Sequence, residues 1–318
     1  MSAEKSKYIR FVKDYNLPVN IFEEDYIDYY RSIYHFWPHE AEKAMEAEIA
    51  EYGSVEAWLE HYSIIRDNII HSLENSESYK SFNNCDMSIY DIPNTNNCGE
   101  RSLYTAETDG EYFLSIDLKK ANFQALKYVG VIDDETYNDF IARYGGSEYF
   151  VNSKYLRQVI FGKLNPKRTI KVEKYIMYKI RTLVADVLNA EDFELFSVNS
   201  DEVVYRVNNY KRLYDLNPKS IESLILSELG FEVRVEAVRI FRLPIKNNRG
   251  SFIDAYIRYN VHTHEQQIKK ASTTFYPQIY KIWRGMTIVE KDLDFFFENQ
   301  IASFRHPITL DADEYNRR

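Results

Sequence analysis

The sequence predicts an α+β fold in which an antiparallel sheet with packed helices lies between helical N-terminal and C-terminal regions. Three observations carry this. Residues 1 to about 80 repeat apolar side chains at three- and four-residue spacing, the central part alternates β-rich runs with helix-like stretches, and the chain from His264 onward returns to a mostly helical pattern. With 318 residues, 45% hydrophobic and 15% aromatic, there is ample material for a buried core. The implied division is a helical region over 1–100, a sheet-bearing region over 101–260 and a second helical region over 261–318.

In the first region, EEDYIDYYRSIYHFW and HEAEKAMEAEIAEYG have helical spacing, and Ser54 is placed to cap VEAWLEHYSIIRDNIIHSLENS. Residues 81–110 then shift to Asn, Ser, Thr, Asp and Gly with Pro93 among them, a loop ending in a turn at Thr108, Asp109 and Gly110. RSLYTAE and EYFLSIDL flank that turn as the expected strands of a hairpin. A helix is expected from about Lys119, another in DDETYNDFIARYGG, and a basic helix pair over 153–188. Strands follow in FELFSV and EVVYRVN, a helix in NPKSIESLILSELG, and strands in FEVRVEAVRIFRLPI and GSFIDAYIRYN. No internal repeat is visible.

Charge and cysteine usage narrow the function classes. A net charge of −9 weighs against a nucleic-acid partner as a sum, but recognition follows where the charge lies. Cys85 and Cys98, thirteen apart in a polar stretch without a second pair, make neither a zinc site nor a disulfide framework. MSAEKSKYIRFVKDY carries charge where a secretory leader would be apolar, so a reducing, cytoplasmic setting is expected. No apolar run approaches the roughly 18 residues of a membrane span, and no membrane partner is expected.

Two strands end in acid. EYFLSIDLKKANF closes on Asp117 before a helix-like stretch, and LFSVNSDEVVY breaks its apolar run with Ser200, Asp201 and Glu202. An Asp before a helix also serves as an N-cap, and Ser-Asp-Glu is ordinary turn composition. Set side by side, however, Asp117, Asp201 and Glu202 could converge, and gathered carboxylates are costly unless a cation neutralises them. Hard oxygen ligands of this type suit Mg²⁺, which takes waters and phosphate oxygens as its remaining ligands. Two such ions serve phosphoryl or nucleotidyl transfer.

Between the acids the charge reverses. Residues 154–181 hold nine Lys and Arg against the single acid Glu173, a net +8 within a chain of −9. Such a segment is either a solvated helix face or a binding surface for triphosphate or a nucleic-acid backbone. Gly162, Asn165 and Pro166 interrupt it in the middle, where a backbone could approach a substrate.

The order of these parts resembles the palm-domain polymerases, most closely the family B DNA polymerases, with a reverse-transcriptase-like palm as second choice. SIDLKKANFQAL looks like their first acidic motif, and SVNSDEVVY is similar to the hairpin that carries the second metal-binding aspartate, here Asp201. YLRQVIFGKLNPKR resembles the basic helix that contacts the incoming triphosphate, with Arg157 and Lys163 at its basic positions and Lys167 beside them. VEAVRIFRLPIKNNRGSFIDAYI resembles the motif that grips primer-template, here through Lys246 and Arg249. The resemblance spans roughly residues 112 to 258 and implies a polymerase-like palm with a short fingers insertion, followed by a thumb-like region.

It also implies attack of a primer 3′-hydroxyl on the α-phosphate of a nucleoside triphosphate, with pyrophosphate released. Asp117 and Asp201 would bridge two Mg²⁺ ions, Mn²⁺ being the alternative, and Glu202 would be an auxiliary ligand or a support of the hairpin. The implied partners are a primer-template, nucleoside triphosphates and a replication protein. The chain departs from the family in three places. Asn199 stands where another Asp is common, no room exists upstream for a proofreading exonuclease, and the steric-gate position against ribose is Asn122, with Phe123 one place later. Either the register is shifted and Phe123 is the gate, or Asn122 offers the 2′-hydroxyl a hydrogen bond. The alternatives are therefore a primase- or RNA-polymerase-like enzyme that accepts ribonucleotides, or a non-catalytic palm that binds nucleic acid or a replication protein.

Other candidates carry less. His262 and His264 lack further ligands nearby and read as surface residues, and His35 and His39 flank FWP as packing and surface residues. STTFYPQIYKIWRG, with Lys281 and Arg284, reads equally as a strand-tracking surface and as a core-packed helix.

Overall fold

The structure is a computed structural model that describes residues 2–93 and 98–315. Residues 94–97, part of the expected loop, and 316–318 lie outside the described residues. The chain divides into two compact units: Met1–Asp86, Ala125–Thr169 and Phe295–Ile301 form one, and Met87–Gln124, Ile170–Asp294 and Ala302–Arg318 the other.

The first unit is helical. Its N-terminal part holds α1 (Ala3–Asp14), α2 (Glu24–Ile33), α3 (His39–Tyr52), α4 (Val55–Asn75) and α5 (Glu77–Asn84). Ser54 Oγ accepts from Ala57 N–H at 3.1 Å and starts α4, whose Val55, Trp58, Tyr62, Ile65, Ile69 and Leu73 are buried at the three- and four-residue spacing read from the sequence. Helix α6 (Ala121–Tyr128) leads from the second unit into α7 (Tyr137–Arg143), α8 (Glu148–Asn152) and α9 (Lys154–Lys163), after which α10 (Pro166–Ala185) leads back. The break between α9 and α10 falls at the Gly, Asn and Pro cluster, and Pro166 opens α10 where a missing N–H is harmless. At the centre of this unit, fully buried Asp14 accepts hydrogen bonds from Tyr62 Oη (3.0 Å), Tyr149 Oη (2.8 Å) and Ser153 Oγ (2.7 Å).

The second unit is built on a six-stranded sheet. Its strands are β1 (Tyr112–Leu118), β2 (Phe193–Val198), β3 (Glu202–Val207), β4 (Val233–Arg242), β7 (Tyr256–Asn260) and β8 (Gln266–Lys269), with α11 (Lys211–Asp215) and α12 (Pro218–Leu229) between β3 and β4. The spatial order is β2-β3-β1-β4-β7-β8, with every pairing antiparallel. The first four strands therefore follow the β-α-β-β-α-β connection of ferredoxin-like sheets, with β1 central. One face carries Leu114, Ile116, Val203, Val235 and Ala237, all buried, and α12 packs on β4 there through Ile221 and Ile225. A smaller sheet pairs β11 (Thr309–Leu310) with β5 (Ile245–Lys246) and β5 with β6 (Phe252–Ile253), beside α13 (Tyr276–Arg284). Strands β9 (Asp294–Phe297) and β10 (Gln300–Ser303) form a two-stranded sheet, of which Phe295–Ile301 groups with the first unit, and α14 (Ala312–Tyr315) ends the described chain.

The α+β class, the antiparallel sheet and the helical start agree with the sequence reading, while two elements correct it. RSLYTAE is not a strand: Thr105 caps a short turn over Ala106–Thr108, and Leu103 joins the core formed by Phe113, Phe196, Val204 and Val238 on the sheet's other face. The segment covers the sheet instead of extending it. The chain after residue 261 is not mainly helical either, since among the described residues it contributes β8 to β11 beside α13, α14 and a 3₁₀ turn over Glu290–Leu293. Nor do the two units follow three consecutive segments, because 125–169 groups with the N-terminal helices. Both cysteines are free.

Candidate functional site

Strand β1 ends its run of buried residues at Asp117, and the neighbouring β3 is entered through Asp201 and Glu202. Asp117 stands directly opposite Glu202 in register, and the Leu118 N–H donates to the Asp201 carbonyl at 2.7 Å. The two acid-bearing strand ends are therefore adjacent. Local chemistry shapes the hairpin: Asn199 Oδ1 accepts from the N–H of Asp201 (3.0 Å) and of Glu202 (2.6 Å), while Asn199 N–H donates to the Glu202 carbonyl at 3.0 Å. Asn199, where the family resemblance would place an Asp, thus holds the turn that presents Asp201.

Alternation along the strands gives Ser115, Asp117, Glu202, Arg234 and Glu236 one face. Ser115 Oγ donates to Glu202 Oε1 at 2.5 Å. Arg234 Nη2 lies 3.0 Å from Asp117 Oδ2, and its Nε lies 3.2 Å from Glu236 Oε2. Arg258, one strand farther, donates to Glu236 at 2.8 Å. This polar end of the face adjoins the apolar end covered by Leu103, so sequence alternation alone does not mark it off.

Burial pushes the Asp117 carboxyl up to about 6; Arg234 opposes the shift, and the charges of Glu202, Asp201 and Glu236 add to it. Glu236 goes the other way: burial works against its charge, but Arg258 and Arg234 hold it below the usual carboxylate range. A carboxylate repelled by three others is one whose charged form an added cation would favour, and oxygen donors fit a hard divalent ion. Asp117 and Asp201 would be the residues to hold it. Among the described residues no three His, Cys, Asp or Glu side chains are gathered closely enough to hold a metal together, so water and phosphate oxygens would complete the shell.

Asp201 also borders a cleft of about 700 Å³. One wall is the Asn199, Ser200 and Asp201 turn, and another is the α10 face bearing Lys174, Tyr178 and Arg181, which recur at helical spacing. Both cations belong to the basic run noted in the sequence, but neither was singled out there. Asp117 is not among the lining residues. The lone acid of that run, Glu173, is buried and accepts a hydrogen bond from Asn122 Nδ2. Burial, with Asp201's charge adding, pushes Glu173 up to about 7 against that hydrogen bond. Its place in a basic run hid it from charge counting.

The two gate candidates separate clearly. Phe123 is 4% exposed and belongs to the core, whereas half-buried Asn122 is held by Glu173. Arg157, Lys163 and Lys167 belong to the helical unit; Arg157 lies over the Tyr137 ring there, and the N–H of Asn165 at the helix break donates to Tyr79 Oη at 2.7 Å. Lys246 pairs with Asp311 at 2.6 Å and lies over the Phe252 ring, while Arg249 sits exposed on the β5–β6 loop. His264 bonds Tyr259 Oη at 2.6 Å, in keeping with the surface reading. Lys281, expected on a surface or in a packed helix, is buried against Asp292 at 2.8 Å, which favours packing. No helix is long and apolar enough to cross a membrane among the described residues. Compared with protein-family models and with curated proteins, the chain matches none.

Proposed function

We propose that the chain is a template-directed nucleotidyltransferase of the palm-polymerase kind, extending a primer 3′-hydroxyl with nucleoside triphosphates. The observation that carries this reading is the adjacency of Asp117 and Asp201 on hydrogen-bonded strands, fastened by the bond from Leu118 N–H to the Asp201 carbonyl. The cleft beside Asp201 supports it, because Lys174 and Arg181 offer charge-assisted hydrogen bonds to phosphate oxygens opposite a carboxylate. Mg²⁺ or Mn²⁺ held by Asp117 and Asp201 would stabilise charge on the attacking and leaving oxygens. Glu202, fixed by Ser115, would keep the β3 end in position. Lys246 and Arg249 are proposed as contacts to the duplex, while Arg157, Lys163 and Lys167 belong to the other unit and take no part in this reading. Asn122, rather than buried Phe123, would face the sugar.

The test is extension of a labelled primer-template in Mg²⁺ or Mn²⁺ with deoxy- or ribonucleoside triphosphates. Wild type should extend, and Asp117→Asn and Asp201→Asn should not, at unchanged circular dichroism and template affinity. An Asp117→Asn protein as active as wild type would overturn the assignment. A non-catalytic palm that binds nucleic acid is the second reading, favoured by the Arg234–Asp117 pair, which neutralises one of the two aspartates without a metal. Template binding without extension in either metal would select it.

A further inference from the structure

A second basic site lies away from the acids, in the small three-stranded sheet of the second unit. A cavity of about 310 Å³ is lined there by Asn247, Asn248, Arg249, Phe275, Phe304, Arg305, His306 and Ile308, with no carboxylate among them. Its walls are preformed. Asn247 Oδ1 accepts from the N–H of Arg249 (2.9 Å) and of Ser251 (3.0 Å), and Gly250, at φ 78°, closes the loop in the left-handed region. On the other side, the Phe275 and Phe304 rings stack at 4.8 Å and 15°, Phe304 N–H donates to the Leu293 carbonyl, and Ile308 N–H donates to buried Gln278 Oε1 at 2.9 Å.

The charge here is uncompensated. Elsewhere in this unit Arg234 pairs with Asp117, Arg258 with Glu236, Arg212 with Asp192 and Arg242 with Glu314, while Arg101, Arg239 and Arg284 lie over aromatic rings instead. Neither Arg249 nor Arg305 pairs with a carboxylate among the described residues. Two guanidinium groups border one small concavity, and planar guanidinium groups suit phosphate oxygens. The stacked phenyl rings beside them suit a flat ring attached to that phosphate. The volume is at the low end for ligand sites, the size of a single small molecule or one residue of a polymer.

We propose that this cavity binds a nucleoside 5′-phosphate, the phosphate between Arg249, Arg305 and His306 and the ring on Phe275 and Phe304. The ligand is either a free nucleotide or the phosphorylated end of a strand. Arg249 is also the residue proposed above as a duplex contact, but the site does not depend on catalysis at Asp117, and its test compares two ends of one single strand without divalent metal or triphosphate, so its failure and that of the polymerase reading are separable. The full chain is titrated with a short 3′-labelled deoxyoligonucleotide bearing either a 5′-phosphate or a 5′-hydroxyl, with a nucleoside 5′-monophosphate, and with inorganic phosphate.

The 5′-phosphorylated strand should bind about tenfold tighter than the hydroxyl form, and the Arg249→Gln/Arg305→Gln double variant should abolish the difference, both side chains being exposed and replaceable without loss of fold. Phe304→Leu should weaken the nucleotide arms several-fold and leave inorganic phosphate unchanged. Competition by free monophosphate at equal affinity identifies the free nucleotide as the source; preference for the strand identifies its end. Equal affinity for the two strand ends together with no monophosphate binding overturns the proposal, and so does inorganic phosphate binding as tightly as the nucleotide.

Discussion

Asp117 stands under opposing influences: burial and three nearby carboxylates favour its protonated form, and Arg234 favours its charged form. The net shift, from 3.8 to about 6, means that the folded protein holds this proton more tightly than the unfolded chain does. Its contribution therefore turns against folding as pH rises from about 4 to 6, and above that range amounts to at most about 3 kcal/mol. Asp117→Asn should melt above wild type at pH 7.5, with the gap closing at pH 4. A lower melting temperature at neutral pH would mean that the Arg234 pair outweighs desolvation. Glu173→Gln should behave likewise, its gap opening as pH rises from about 4.5 to 7, since Gln keeps an acceptor for Asn122. The gate residues separate by burial in the same way. Phe123→Ala should cost about 3–5 kcal/mol in denaturant titration as a core truncation, whereas Asn122→Tyr should shift competition between nucleotides towards the deoxy form with less loss of stability. Sugar selection altered by Phe123→Ala at unchanged stability would reverse that assignment.

The element that presents Asp201 is the β2–β3 hairpin, whose tight turn depends on one amide carbonyl. Asn199→Ala removes the acceptor of two backbone N–H groups and should lower stability by about 1–2 kcal/mol, while Asn199→Asp retains an acceptor and should recover most of it. Extension activity that survives Asn199→Ala intact would show that Asp201 does not need this turn. The hairpin was legible in the sequence because polar Asn, Ser and Asp interrupt two apolar strands, and α4 was legible because Ser54 precedes a helical stripe. Other elements gave no such mark. Phe295, Phe296 and Phe297 run consecutively, so β9 shows no alternation, and RSLYTAE mimics a strand because Leu103 and Tyr104 are apolar for packing onto the sheet. Lys174 and Arg181 were visible as charge but not as lining of the Asp201 cleft. Helical spacing gives a shared face, and only the tertiary fold sets that face beside the β2–β3 turn.

At the scale of the whole chain, the two units are interleaved in sequence, and α10 carries the backbone from one into the other without interruption. The helical unit is held at its centre by a carboxylate, Asp14, whose three hydroxyl donors come from α4, α8 and the cap of α9. Burial pushes this carboxyl up and the three hydrogen bonds pull it back, so removing one donor leaves a buried acceptor less satisfied. Tyr149→Phe should cost about 1–3 kcal/mol, and hydrogen exchange should locate the loss. If each unit opens cooperatively by itself, amides of α1, α4 and α9 lose protection while those of central β1 and β4 keep theirs, and the Asp117-dependent activity per folded molecule is unchanged. Equal loss of protection in β1 and β4 would instead mean that the continuous α10 makes the chain one cooperative body. In that case a hydroxyl in the helical unit would govern the stability of the strands that carry Asp117 and Asp201.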